Sequence, residues 1–249
     1  MKSVRVAIAV LEDVAFHQPV GVSDLARRLG LSKTTAQRAL TTLHAAGWIE
    51  PAEEVRTAWA LSIRALVVGG LAIDARRGLR SIAVPVMEDL RRTTEETIHL
   101  FVRNEDQVVL VERLDGIKPV KVFNPLGGRA LLHRTSSGKA VLANLPASEI
   151  EAYLRHPMTT GRTHMAVDPQ ELRRELELIR SRGFAVNLAQ NQPNVSAIGA
   201  AVLDEHNQAI GAVTISAPSD RLSEATCLEL GPAVSDAARR ITLGMRLRR

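Results

Sequence analysis

Apolar residues in the first third of the chain recur at helical spacing, and from Glu96 onward the period shortens towards the alternation of strands. Val4, Ile8, Leu11 and Ala15 form one stripe, which predicts an amphipathic helix over Val4–Ala15. Val22, Leu25 and Leu29 predict a short helix that ends at a turn centred on Gly30. Ala36, Leu40 and Leu43, widened by Ala39 and Ala46, predict a second, with Ser32 at its N-cap position. Gly47–Ile49 and Ala58–Leu61 read as two short strands around the polar stretch Glu50–Thr57. Ile63–Ala83 then reads as one long helix, weakened at Gly69 and Gly70 by about 1 kcal/mol each. Pro85 interrupts that pattern before Val86–Arg92 continues it.

Beyond Glu96 the expected strands are Thr97–Val102, Val108–Glu112 and Val120–Asn124, the last bounded by Pro119 and Pro125. A helix is expected from Ser136 and Ser137 to Leu145, a short one over Glu149–Leu154, and a longer one over Pro169–Arg182 closed by Gly183. Phe184–Asn187, Ala197–Asp204 and Ile210–Ser216 are further strands, the last two forming a hairpin, and Glu224–Met245 is a closing helix. Strands and helices mixed in this irregular order make an α+β domain, placing the chain in the α/β class broadly taken.

The polar face of the second short helix carries Lys33, Thr34, Gln37, Arg38 and Thr41, with Ser32 and Thr35 at its start. Such side chains donate to phosphates and base edges, and a helix-turn-helix protein presents this half-helix to the major groove. An ordinary helical hairpin shows polar outward residues as well. Three helices followed by a hairpin nevertheless make a winged helix-turn-helix, with Arg56 in the wing able to reach a phosphate.

The 249 residues suffice for two domains, and 45% hydrophobic with 24% charged residues is the profile of a globular protein. Aromatics are only 3%, so the cores must be built from Ala, Val, Leu and Ile. A net charge of +5 is compatible with a polyanionic partner without demanding one, and residues 1–64 hold only a small surplus of Lys and Arg. The case for DNA rests on where the charges sit. The single Cys227 excludes an intrachain disulfide and a CxxC zinc site. The start of the chain lacks the pattern of a signal peptide, and the apolar run Ala65–Ile73 is too short to span a bilayer, so no membrane is expected and a cytoplasmic setting is the default. No motif calls for a metal or another cofactor.

The segment Thr135–Ala140, TSSGKA, admits three chemical readings. A P-loop needs Gly at position 133 and Ser or Thr at position 140, where His133 and Ala140 stand. Ser136 and Lys139 fit the S-x-x-K spacing of penicillin-binding enzymes, but neither S-D-N nor K-T-G occurs in the chain. The third reading is an anion site at a helix N-terminus, where free N–H groups and the positive dipole end suit a carboxylate or phosphate. His99 and His133 have no Ser-Asp partners in sequence and read as structural.

The segment Leu25–Glu50, LARRLGLSKTTAQRALTTLHAAGWIE, resembles the helix-turn-helix of the IclR family of bacterial transcription regulators. LLHRTSSGKAVLA (Leu131–Ala143) matches the family's hallmark ahead of its sensor helix. TTEETIHLFV (Thr93–Val102), LELIRSRGFAVN (Leu176–Asn187) and AIGAAVLDEHNQAIGAVTISAP (Ala197–Pro218) are further matches, in the family's order across almost the whole chain. The resemblance implies a winged helix-turn-helix over 1–62, a helical linker over 63–92 and a GAF-like antiparallel-sheet sensor over 93–249. It implies an operator of double-stranded DNA, a small-molecule effector, commonly an organic acid, and a homodimer or dimer of dimers. No catalysis is implied, and whether the regulator represses or activates is left open. For the effector pocket it points to Ser136, Ser137, Asn187, Ala197, Thr214 and Ser216, with Val122, Leu126, Leu131 and Ile198 as apolar walls. Two departures from the family pattern bear on the effector: Asn187 stands where many members carry Asp, and Asn194 where Gly is usual. A small-molecule enzyme with a vestigial helical domain, or an architectural DNA binder without a ligand, are the alternatives. The apolar Leu66, Val67, Leu71 and Ile73 on the linker predict that this helix is covered by a second subunit.

Overall fold

The computed structural model describes residues 2–53, 57–75, 77–159 and 166–247. Two compact units divide between Arg77 and Gly78. In the first, helices α1 (Lys2–His17), α2 (Val22–Leu29) and α3 (Lys33–Ala45) pack around Val10, Val14, Leu25, Leu40 and Ile49. Gly30 ends α2 in the left-handed region at φ 63°, which a residue without Cβ adopts freely. Strands β1 (Val20–Gly21), β2 (Ile49–Pro51) and β3 (Ala58–Leu61) form an antiparallel sheet in the order β1-β3-β2. β1 escapes sequence reading because two residues show no period.

The buried stripe of α1 differs from the expected one. Val10 and Val14 are fully buried, whereas Val4 and Ile8 are 61% and 53% exposed. Two overlapping stripes run along this helix, and periodicity alone does not say which one faces the core. The valine stripe is chosen together with Asp13, whose buried carboxylate is paired with Arg28 of α2 at 2.6 Å.

Helix α4 (Ile63–Ala75) belongs to the first unit, and α5 (Arg77–Thr94) opens the second. The segment expected as one linker over 63–92 is therefore shared between the units. α5 runs through Pro85, which lies on its exposed side and forfeits one backbone donor, so the expected interruption does not occur. Its opposite side buries Leu79, Ala83, Met87 and Leu90 in the core of the second unit.

That core is organised by six strands: β4 (Thr97–Asn104), β5 (Gln107–Leu114), β6 (Arg129–Leu131), β7 (Ala185–Leu188), β8 (Val195–Leu203) and β9 (Ala209–Pro218). They lie in the order β6-β5-β4-β9-β8-β7 with every neighbouring pair antiparallel. One face packs on α5 and on α9 (Glu224–Arg246) through Ile98, Leu100, Ile198, Val213 and Ile215. The other meets α6 (Ser136–Ala143) and α8 (Pro169–Arg182), with α7 (Ala147–Leu154) completing the second cluster.

The expected strand at Val120–Asn124 is irregular chain. Prolines at both ends remove ladder donors, and two guanidinium groups satisfy the carbonyls instead: Arg221 donates to Val120 O at 2.7 Å and Arg113 to Asn124 O. Arg113 also lies over the Phe123 ring, 4.0 Å from its centroid. The base of the segment is anchored by Glu96. Burial pushes its carboxyl up, but hydrogen bonds from Arg221 and Lys118 outweigh that and hold it below the usual range.

Candidate functional site

On the first unit, α3 presents its polar side outward. Ser32, Lys33, Thr34, Thr35, Gln37, Arg38 and Thr41 are all exposed. Ser32 caps the helix by accepting from Thr35 N–H at 3.1 Å, and its hydroxyl lies 2.8 Å from that of Thr35, so both are engaged in the cap. Thr41 donates to Gln37 O at 2.9 Å. Lys33 and Arg38 make no ion pair among the described residues, which leaves their charges available to a polyanion. Arg56 lies outside the described residues.

On the second unit, a cavity of about 210 Å³ opens between the start of α6, the polar face of the sheet and the irregular chain before β6. Its position follows from the strand alternation. Directly opposed residues of antiparallel strands share a face, so His99 and Thr214, Thr97 and Ser216, Ser216 and Ala197, and Ala197 and Asn187 all point to one side. Gly199 completes the arrangement. A Cβ there would come within 3.0 Å of Ser136 C and Ser137 N and 2.9 Å of Thr214 Cγ2, so only glycine lets the first turn of α6 rest on β8. Thr135 caps α6 by accepting from Gly138 N–H at 3.0 Å. The Ser136 and Ser137 amides at the cavity wall belong to the first turn, which has no intrahelical acceptor.

Ser136, Ser137, Asn187, Ala197, Thr214 and Ser216 line this cavity. Val122, Leu126, Leu131 and Ile198 do not. Ile198 follows Ala197 on one strand and therefore faces the opposite side, fully buried against α5 and α9. Val122 is buried within the irregular segment, where no strand alternation directs it, and Leu126 is 56% exposed. Leu131 is half-buried at the end of β6, opposite Gln107. Lining residues not anticipated include Phe101, Asn124, Arg129, Thr135 and Gln192. Of these, Arg129 carries no motif in the sequence beyond its place between Gly127-Gly128 and Ala130-Leu131-Leu132.

The polar groups differ in how far they are already engaged. Asn187 donates to Arg134 O at 2.9 Å and accepts from Gln190 N–H at 3.2 Å. An aspartate there would lack the donor for the first bond. Asn194 takes φ 60°, the left-handed conformation that Asn tolerates, which accounts for its standing where glycine is usual. Lys139 is buried, with Nζ 2.8 Å from Glu175 Oε1 and 2.9 Å from Gln190 Oε1. Nζ is thus engaged by Glu175 and Gln190, and no hydrogen bond joins it to Ser136 among the described residues. His133 is saturated: Nε2 lies 2.9 Å from Thr159 O, so that nitrogen carries the proton and Nδ1 accepts from Tyr153 Oη at 2.7 Å. Burial pushes the His133 imidazole down and the Tyr153 phenol up to about 12.

His99 is different. It is fully buried, and burial, aided by the charge of Arg113, pushes its imidazole down to about 4. Nδ1 lies 3.1 Å from Ser216 Oγ, while among the described residues Nε2 has no hydrogen-bond partner, and neither has the buried hydroxyl of Thr214 beside it. Among the described residues no cluster of His, Cys, Asp and Glu is placed to hold a metal, and no helix is long and apolar enough to cross a membrane.

Residues 3–53 match the IclR helix-turn-helix domain, and residues 72–243 match the bacterial transcriptional regulator IclR C-terminal domain. The chain belongs to the IclR family. It is a transcription regulator with an N-terminal DNA-binding helix-turn-helix and a C-terminal ligand-binding domain. The HTH-type transcriptional regulator BhcR of Paracoccus denitrificans is 30% identical over 240 residues, covering 96% of this chain and 85% of that one. The transcriptional repressor IclR of Escherichia coli is 27% identical over 253 residues, covering 99% and 92%. The crystal structure of an IclR homolog complexed with 4-hydroxybenzoate, from Microbacterium hydrocarbonoxydans, shares the fold at a TM-score of 0.79 with 24% identity, covering 98% and 99%.

Proposed function

We propose that this regulator senses a small organic monoanion in the cavity at the N-terminus of α6 and contacts its operator through the polar face of α3. The observation that carries the first half is the charge of the cavity lining: among the described residues it holds no carboxylate and one charged residue, Arg129, which makes no ion pair with another of them. A cation in the same lining as the first-turn amides of Ser136 and Ser137 favours a single negative charge, and about 210 Å³ limits the body attached to it. That a relative of this fold holds 4-hydroxybenzoate supports an acid of this size. For the second half, Lys33, Thr34, Gln37, Arg38 and Thr41, joined by Arg56 of the wing, are the proposed contacts, with Ser32 and Thr35 at the helix start. The exposed Val4, Ile8, Leu66 and Val67 support pairing of two copies through the first unit, as a dimer or a dimer of dimers. A two-fold dimer spaces its recognition helices by about one DNA turn or a multiple of it.

Small monocarboxylates screened by thermal shift, followed by gel shift on the operator, test the reading. Ser137→Trp fills the cavity and is expected to abolish the ligand response while operator binding persists; a response equal to the parent's would put the effector elsewhere. Arg38→Ala is expected to weaken operator binding by about 1–3 kcal/mol with no change in Tm. Unchanged gel-shift affinity would remove Arg38 from the interface.

A further inference from the structure

A second cavity, of about 220 Å³, lies where α6 meets the first turns of α8, and it shares no lining residue with the first. Two of its charged groups answer each other: Lys139 Nζ lies 2.8 Å from Glu175 Oε1. Three further charges of the lining have no such partner. Arg134 is half-buried and donates Nε to Thr159 O at 2.9 Å and Nη2 to Thr159 Oγ1 at 2.8 Å, and no carboxylate among the described residues pairs with it. Asp168 accepts from Gln170 N–H at 2.9 Å through Oδ1 alone, as the cap of α8, and meets no cation. Glu171 makes neither a hydrogen bond nor an ion pair among the described residues. Asp168 and Glu171 are exposed and three positions apart, the spacing that puts two side chains on one face of a helix start. One small space is thus bounded by a guanidinium without a carboxylate and by two carboxylates without a cation.

We propose that this second cavity binds a free α-amino acid, with its carboxylate on Arg134, its ammonium at Asp168 and Glu171, and its side chain against the buried Leu172. A guanidinium matches a carboxylate in shape as well as in charge. The three N–H donors of an ammonium match the oxygens of two carboxylates. A simple carboxylic acid meets Arg134 but also two carboxylates of its own sign, and a simple amine leaves the guanidinium unanswered. Only a ligand of both signs satisfies all three groups at once, and the volume limits it to a small or medium-sized one. The inference is independent of the anion reading, which concerns the other cavity.

The test uses the full chain. The standard L-amino acids are screened by thermal shift. Each one that raises the Tm is then measured by calorimetry beside its amide, which lacks the carboxylate, and beside the matching acid without the amino group. At least one amino acid is expected to bind, and both of its analogues to bind about ten-fold more weakly or not at all. The double variant Asp168→Asn, Glu171→Gln keeps the helix cap, since Asn caps as well as Asp. Its ligand-free Tm and operator affinity are expected to equal the parent's, while its affinity for the amino acid falls about ten-fold. Arg134→Gln is expected to bring the ratio between the amino acid and its amide close to one. Ser137→Trp, which fills the other cavity, is expected to leave amino-acid binding as it is. No binding by any amino acid, equal affinity for an amino acid and either analogue, or undiminished affinity in the double variant overturns the proposal. Amino-acid binding lost in a Ser137→Trp protein that still binds its operator places the ligand in the first cavity, and overturns this inference without touching the anion reading.

Discussion

The two faces of the six-stranded sheet are built by the same strands and carry opposite chemistry. On β9, Val213, Ile215 and Ala217 face α5 and α9, while Thr214 and Ser216 face the cavity. On β4, Ile98 and Leu100 alternate with Thr97 and His99 in the same way. The first face is a dry layer whose buried apolar side chains form one cluster with those of α5 and α9. The second is equally hidden from solvent but holds hydroxyls and an imidazole, two of whose atoms find no partner among the described residues. Burial by itself therefore does not distinguish structure from site. What distinguishes them is whether buried polar capacity is used up, as it is at His133 and Lys139, or left open, as it is at His99 and Thr214.

The strongest test of the contrast is Ile215→Ala. Removing a fully buried side chain from the dry face is expected to cost about 4 kcal/mol in urea unfolding and to leave effector affinity of the folded protein unchanged. A large loss of affinity at equal stability would show that the dry face also tunes the cavity.

The second test is pH. The folded protein holds His99 near 4, against an unfolded value of 6.5. Between those values the unfolded chain binds more protons, so stability is fully present above pH 6.5 and falls as the pH drops towards 4, by up to about 3 kcal/mol. His133, also lowered, acts in the same direction. Urea unfolding from pH 7 to 4 is expected to show this acid limb, and His99→Gln to flatten it; a limb of undiminished height in that variant would assign it to other groups.

The smallest effect is expected at Gly199. Gly199→Ala drives a Cβ against the first turn of α6 and is expected to cost about 1–3 kcal/mol while weakening effector binding. Full effector affinity in that variant would mean that the α6 amides take no part.

How legible each part was in the sequence follows from how local its determinants are. The recognition helix needed only the spacing of Ala36, Leu40 and Leu43, the cap at Ser32 and the polar residues between them, all within two dozen positions. The strands β4, β5, β8 and β9 and the helices α8 and α9 announced themselves by period and punctuation. The α1 stripe was misread because two faces of one helix were both apolar enough, and Val120–Asn124 because β-branched residues stood where prolines and two distant arginines decided otherwise.

From the sequence alone came most of the order of elements, the family and the hydroxyls of β9 on a common face, because alternation and helical repeat are properties of neighbouring residues. Only the tertiary structure decided which side of the sheet would be dry. It set Gly199 beneath α6, put Arg129 in the cavity lining and placed His99 opposite Thr214 with no partner for Nε2 among the described residues. The reason is distance along the chain: His99 and Thr214 meet through strand pairing across more than a hundred residues, and whether a buried polar atom has found a partner can be read only after every strand is in place.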